Sequence, residues 1–147
     1  MSKTCIITGA SRGIGKAIAV ELSNREDISN FILIARSEEG LNKTAKEMNQ
    51  NKNIECIPLD LTVYQEVATY IQSIGKQYDS IDMLINVAGY AEPKSLLETT
   101  IENWEKTYSI NVHSVFNITK EVVRFMKKTG GKILNVASTA GSTPRPG

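Results

Sequence analysis

The chain has 147 residues, 41% apolar and 22% charged, with a formal net charge of +1. That is the length and balance of a single globular domain. Scattered Lys and Arg beside Asp and Glu give no electrostatic case for nucleic acid or an anionic membrane, and no apolar run reaches the ~20 residues of a membrane span.

In chain order, short apolar runs alternate with longer helical patterns. TCIIT (4–8) predicts a strand. Residues 12–24 carry Ile14, Ile18 and Leu22 at four-residue spacing, one face of a helix. A second strand is expected at 30–36, a charged amphipathic helix at 38–50, and a third strand at 53–60 with Pro58 near its end. A helix at 64–78, a strand at 81–89, a long helix at 99–130 stopped by Gly130, and a fifth strand at 131–138 complete the series. Cys5 and Cys56 both fall in strand-like runs. Without a secretory signal in MSKTCIITGA they read as reduced thiols of a cytoplasmic protein. His113 is the only histidine, so no metal site is expected.

The order βαβαβαβαβ implies an α/β fold: a three-layer, Rossmann-type, doubly wound parallel sheet over residues 1–147, with five strands present. In such a sheet the first strand is central, and ligands bind at its carboxyl end. There the sequence places TGASRGIG, residues Thr8 to Gly15. Gly9 permits the tight turn, Gly13 lets a pyrophosphate approach the backbone, and Gly15 lets the helix pack on the sheet. The helix N-terminus then offers free N–H groups to phosphate.

The spacing Gly-x-x-x-Gly-x-Gly resembles that of the short-chain dehydrogenase/reductase family, and other stretches extend the resemblance along the whole chain in order. LDLT (59–62) looks like the segment whose acid, Asp60, contacts adenine beside Leu61. NVAG (86–89) looks like Asn-Asn-Ala-Gly, with Val87 replacing the second asparagine and Asn86, Ala88 and Gly89 retained. Asn111 and Ser138 match the catalytic asparagine and serine.

The resemblance implies an oxidoreductase that moves a hydride between nicotinamide C4 and a carbonyl or secondary alcohol. Ser138 would bond the substrate oxygen, and Asn111 would hold a water. Thr8, Gly9, Ser11, Arg12, Gly13, Ile14, Gly15, Arg36, Ser37, Asp60, Leu61, Asn86, Ala88 and Gly89 would hold the cofactor. The second strand ends Ala35-Arg36-Ser37 without an acid, and Arg12 sits in the glycine turn. Both arginines suit a 2′-phosphate, so NADP(H) is expected.

In the family a Tyr-x-x-x-Lys pair follows the serine closely, whereas this sequence stops at Gly147. The chain is therefore expected to be a fragment, inactive alone, with its fifth strand left as an open edge. A non-catalytic dinucleotide-binding module or an inactive remnant is the alternative. Tyr90, directly after Gly89, could line a substrate pocket but is expected to lack a lysine partner for acid chemistry; His113 reads as packed or solvated. Trp104 and Tyr108 lie on the long helix that forms much of the interface in relatives, so a homodimer or homotetramer is expected of the complete protein. 3-Oxoacyl-[acyl-carrier-protein] reductases and sepiapterin or diketone reductases are the subclasses that look most similar.

Overall fold

The computed structural model describes residues 2–126, 130–141 and 143. Five strands form one parallel sheet: β1 (Lys3–Thr8), β2 (Ile28–Ala35), β3 (Asn53–Pro58), β4 (Met83–Asn86) and β5 (Lys132–Asn135). Their order is β3-β2-β1-β4-β5, so β1 is central and the chain reverses its direction of winding there. Pro58, which has no N–H to give, sits on the edge strand β3, where a missing donor costs no ladder bond.

Side-chain alternation along the strands splits the core into two layers. On one face Ile6, Ile32, Ile34 and Leu84 pack against Val67, Ile71 and Ile74 of α3 (Tyr64–Gln77) and Ile118 and Val122 of α5 (Ser114–Val122). On the other, Cys5, Ile7, Phe31, Leu33 and Ile85 pack against Ala19 of α1 (Gly13–Ser23) and Leu41 of α2 (Glu38–Glu47). Most of these side chains are fully buried, and each such Ile, Leu, Val or Phe contributes about 1.5–3 kcal/mol of hydrophobic stabilisation.

Three details differ from the sequence pattern. The face of α1 that sinks into the core is Gly15, Ala19 and Ser23. Ile14 is 62% exposed, Ile18 and Leu22 are half-buried against the same core layer, and all three also line a shallow apolar groove over Met83–Ile85 and Ile133–Leu134. Small residues win the buried face because the helix must lie close to the sheet beside the glycine turn.

The long helix is a composite, not one continuous α-helix. It comprises α4 (Ile101–Tyr108), a π-helical turn (Ser109–His113), α5, and a 3₁₀ turn (Val123–Phe125) after which Met126 is extended. Thr100 and Asn103 close its start as a capping box. The helix therefore stops before the expected Gly130; residues 127–129 lie outside the described residues. The strands expected at 53–60, 81–89 and 131–138 are also shorter at their carboxyl ends. Among the described residues β5 lies at one end of the sheet, with Leu134 52% exposed.

Candidate nucleotide-binding and active site

A cleft of about 870 Å³ runs across the carboxyl ends of β1, β2, β3 and β4. Its floor is the glycine turn. Gly9 has φ 65°, and a Cβ there would lie 2.7 Å from the Ala88 backbone nitrogen. Only glycine allows the turn and the β4 loop to touch. Gly13 has φ 56°, and a Cβ there would meet nothing within 4 Å, so this backbone faces the open cleft. The N-cap of α1, Arg12, makes no side-chain bond to the helix. First-turn N–H groups thus remain available to an anion, reinforced by the helix dipole. This cradle fits the diphosphate of a dinucleotide.

Gly9, Ser11, Arg12, Gly13, Ile14, Gly15, Arg36, Ser37, Asp60, Leu61, Ala88 and Gly89 all line the cleft. Arg12 and Arg36 are exposed at its rim and form no ion pair among the described residues. Ser37 caps α2 by accepting from the Gly40 N–H at 3.1 Å, which leaves its O–H free to donate. Asp60 Oδ1 accepts from the Thr62 N–H and hydroxyl at 2.9 and 2.7 Å. The second carboxylate oxygen remains for a ligand.

Thr8 and Asn86 stand differently: both are buried behind the cleft wall. Thr8 Oγ1 accepts from the N–H groups of Val87 and Ala88 at 3.0 and 3.1 Å, tying the end of β1 to the loop after β4. Asn86 Nδ2 donates to Asn135 Oδ1 at 2.8 Å and Thr119 Oγ1 at 3.2 Å, joining β4, β5 and α5. Neither side chain lines the cleft. The Val87 replacement is accommodated because the Thr8 bond uses its backbone, not its side chain.

Asn111 falls in the π-helical turn. Its Nδ2 donates to the Tyr90 carbonyl and its Oδ1 accepts from the Tyr90 N–H, both at 2.8 Å. The amide clamps the loop after β4 in both directions. Water-holding by Asn111 would use its remaining amide hydrogen or the backbone freed by the π turn. Ser138 follows β5 and is exposed; its Oγ accepts from the Ala140 N–H at 3.1 Å. The hydroxyl proton is left to donate to a substrate oxygen.

Two lysines lie near Tyr90, but neither bonds its hydroxyl. Lys106 Nζ lies 4.4 Å from its ring centroid. Its O–H donates to Glu92, which also pairs with Lys94 at 2.9 Å. The loop folds back on α4, so residues distant in sequence meet. His113 is exposed, as expected of a solvated residue.

The sequence pattern missed Glu39, Gly40, Lys43, Lys106, Ile110 and Ser114, which also line the cleft. The last three repeat every four residues, a spacing that marks one helix face pointing at the β4 loop. Among the described residues no group of three or more His, Cys, Asp or Glu could hold a metal, and no helix is long and apolar enough to cross a membrane.

Comparison with known proteins agrees with this geometry. A 3-oxoacyl-[acyl-carrier-protein] reductase of Buchnera aphidicola is 36% identical over 137 residues, covering 92% of this chain and 55% of that protein. An uncharacterised oxidoreductase of Staphylococcus epidermidis is 27% identical over 143 residues, covering 97% and 60%. The chain thus spans a little over half the length of these relatives. Among solved structures, actinorhodin polyketide ketoreductase with NADPH superposes with a TM-score of 0.88 at 30% identity, covering 98% of this chain and 56% of that one. An NAD+-bound xylitol dehydrogenase gives 0.89 at 28% identity, with 98% and 56% covered. The family model for short chain dehydrogenase matches residues 3–147, and the chain belongs to that family of oxidoreductases.

Proposed function

We propose that the chain is the nucleotide-binding portion of an NADP(H)-dependent oxidoreductase that interconverts a carbonyl and a secondary alcohol. The observation that carries the cofactor preference is the rim of the cleft. Arg12 and Arg36 flank the end of β2, where Ala35 stands in place of an acid, and neither is neutralised by a carboxylate among the described residues. A 2′-phosphate dianion would meet two guanidinium groups there, and no strand-end carboxylate would repel it.

When bound, the nicotinamide supplies the hydride chemistry. The chain's own residues do the rest. Gly9, Gly13 and Gly15 would set the backbone against the diphosphate, Asp60 and Leu61 would hold the adenine side, and Ala88 and Gly89 would bring the β4 loop toward the reacting end. Ser138 donates its hydroxyl hydrogen to the substrate oxygen and steadies the charge that develops there. Asn111 holds the Tyr90 loop in place on the same side. The family's Tyr-x-x-x-Lys has no counterpart after Ser138 in these 147 residues. The substrate is a ketone or 3-oxoacyl group, in keeping with the reductase and ketoreductase relatives. Homo-oligomerisation fits the exposed stripe Ile101, Trp104, Tyr108 and Val112 along α4 and the π turn, in which the Trp104 and Tyr108 rings meet tilted at 37° with centroids 4.9 Å apart.

The test is turnover. The protein as its native gene produces it is mixed with NADPH and a panel of ketones and 3-oxoacyl thioesters, and loss of NADPH absorbance is followed. Consumption that requires both NADPH and a carbonyl supports the reading. Tight NADPH binding with no turnover on any carbonyl would leave a binding module in its place.

A further inference from the structure

α2 is fixed against the glycine turn by two contacts. The buried Thr44 donates its hydroxyl to the Ala10 carbonyl at 2.8 Å. Gly40 lies so close to Ser11 that a Cβ on it would come within 2.8 Å of the serine Cβ. The first turns of α2 are thereby held beside Ser11 and Arg12, and Lys43, one turn beyond Gly40, lines the same cleft as Arg12, Arg36 and Ser37. Its Nζ rests 2.7 Å from Glu39 Oε1, with the two side chains 67% and 80% exposed. Exposed pairs of this kind are weakly held. A phosphate dianion is the stronger partner for an ammonium on a flexible four-carbon stem.

We propose that Lys43 is a third cation for the 2′-phosphate of NADP(H), and that Glu39 holds it at the rim until the phosphate claims it. This deepens the NADP(H) reading above and rests on it. Without Lys43 the Glu39 carboxylate would face the phosphate unneutralised, so the pair acts on NADP(H) and leaves NAD(H) nearly untouched. The test is isothermal titration of NADPH and NADH into the natively produced protein and its Lys43→Gln, Glu39→Gln and Lys46→Gln variants. Lys43→Gln should weaken NADPH about fivefold and NADH less than about twofold, as loss of a partly exposed charge pair implies. Glu39→Gln should tighten NADPH, and Lys46→Gln, next on the helix but outside the cleft, should change neither. If wild type favours NADPH yet Lys43→Gln weakens both nucleotides equally, or neither, the assignment of Lys43 is wrong and the parent reading stands. A wild-type preference for NADH would remove the parent reading and this proposal with it.

Discussion

Replacing Thr8 with valine tests whether the end of β1 and the loop after β4 are one unit. The substitution keeps volume and branching and removes one oxygen. That oxygen accepts from the N–H groups of Val87 and Ala88 at 3.0 and 3.1 Å, and Thr8 is 1% exposed. Valine would leave two donors facing a methyl group. Each unsatisfied donor costs about 1–3 kcal/mol, and because the donors are half-buried the lower half applies, giving about 2–4 kcal/mol in total. Thr8→Ser keeps the oxygen and loses only a buried methyl, about 1 kcal/mol. Urea unfolding of wild type and both variants, followed by circular dichroism, compares midpoints at a constant slope. Valine should be clearly the worse of the two. Because the loop it frees carries Ala88 and Gly89, it should also weaken NADPH binding. If Thr8→Ser destabilises as much as Thr8→Val, the oxygen is not what joins the strand to the loop and the reasoning fails.

Other perturbations follow from the same geometry. Gly15→Ala places a Cβ 2.3 Å from the Gly9 carbonyl oxygen, a backbone clash that should cost at least about 2 kcal/mol and abolish measurable nucleotide binding; a variant with wild-type stability would contradict the close packing. Ser138→Ala should lower kcat about a hundredfold or more with NADPH affinity unchanged, checked by turnover and titration side by side. Burial pushes the Cys5 thiol up to about 12, so it should react with a thiol reagent at mildly alkaline pH only when the chain unfolds, while the half-buried Cys56 reacts in the native state. The Arg25 and Lys3 hydrogen bonds hold the Asp27 carboxyl well below its usual range. A depressed carboxylate adds stability above its unfolded pKa of about 3.9 and loses it as pH falls through the lower folded value. The stability gap between wild type and Asp27→Asn, measured by urea unfolding, should therefore be small, present at neutral pH and closed in strong acid; a gap that widens in acid would reverse the sign.

The strands and the glycine turn were legible because their signals are local. Continuous apolar runs mark strands buried on both faces, and the glycine spacing at the end of β1 answers to a turn and a close approach that few other sequences need. What was not legible depends on contacts between distant segments. The π-helical turn is accompanied by two bonds from Asn111 to the backbone of Tyr90, twenty-one residues earlier, which helical periodicity does not register. Ile14, Ile18 and Leu22 have the spacing of a core face, yet tertiary closeness at the glycine turn gives the fully buried positions to Gly15 and Ala19, leaving Ile18 and Leu22 half-buried and Ile14 exposed. Thr8 and Asn86 lie in motifs associated with the cofactor, but the fold uses them to join strand ends behind the cleft. Lys43 reads as a solvated helix lysine until Gly40 and Thr44 are seen to press α2 onto the turn.

The most direct measurement is a pair of binding isotherms, NADPH and NADH, on the protein as its native gene produces it. Two unneutralised arginines, one in the glycine turn and one after β2, require NADPH to bind at least about tenfold more tightly, with that preference lost in an Arg12→Ala, Arg36→Ala variant and reduced by added salt. Equal affinities, or a preference for NADH that survives removal of both arginines, would contradict the account.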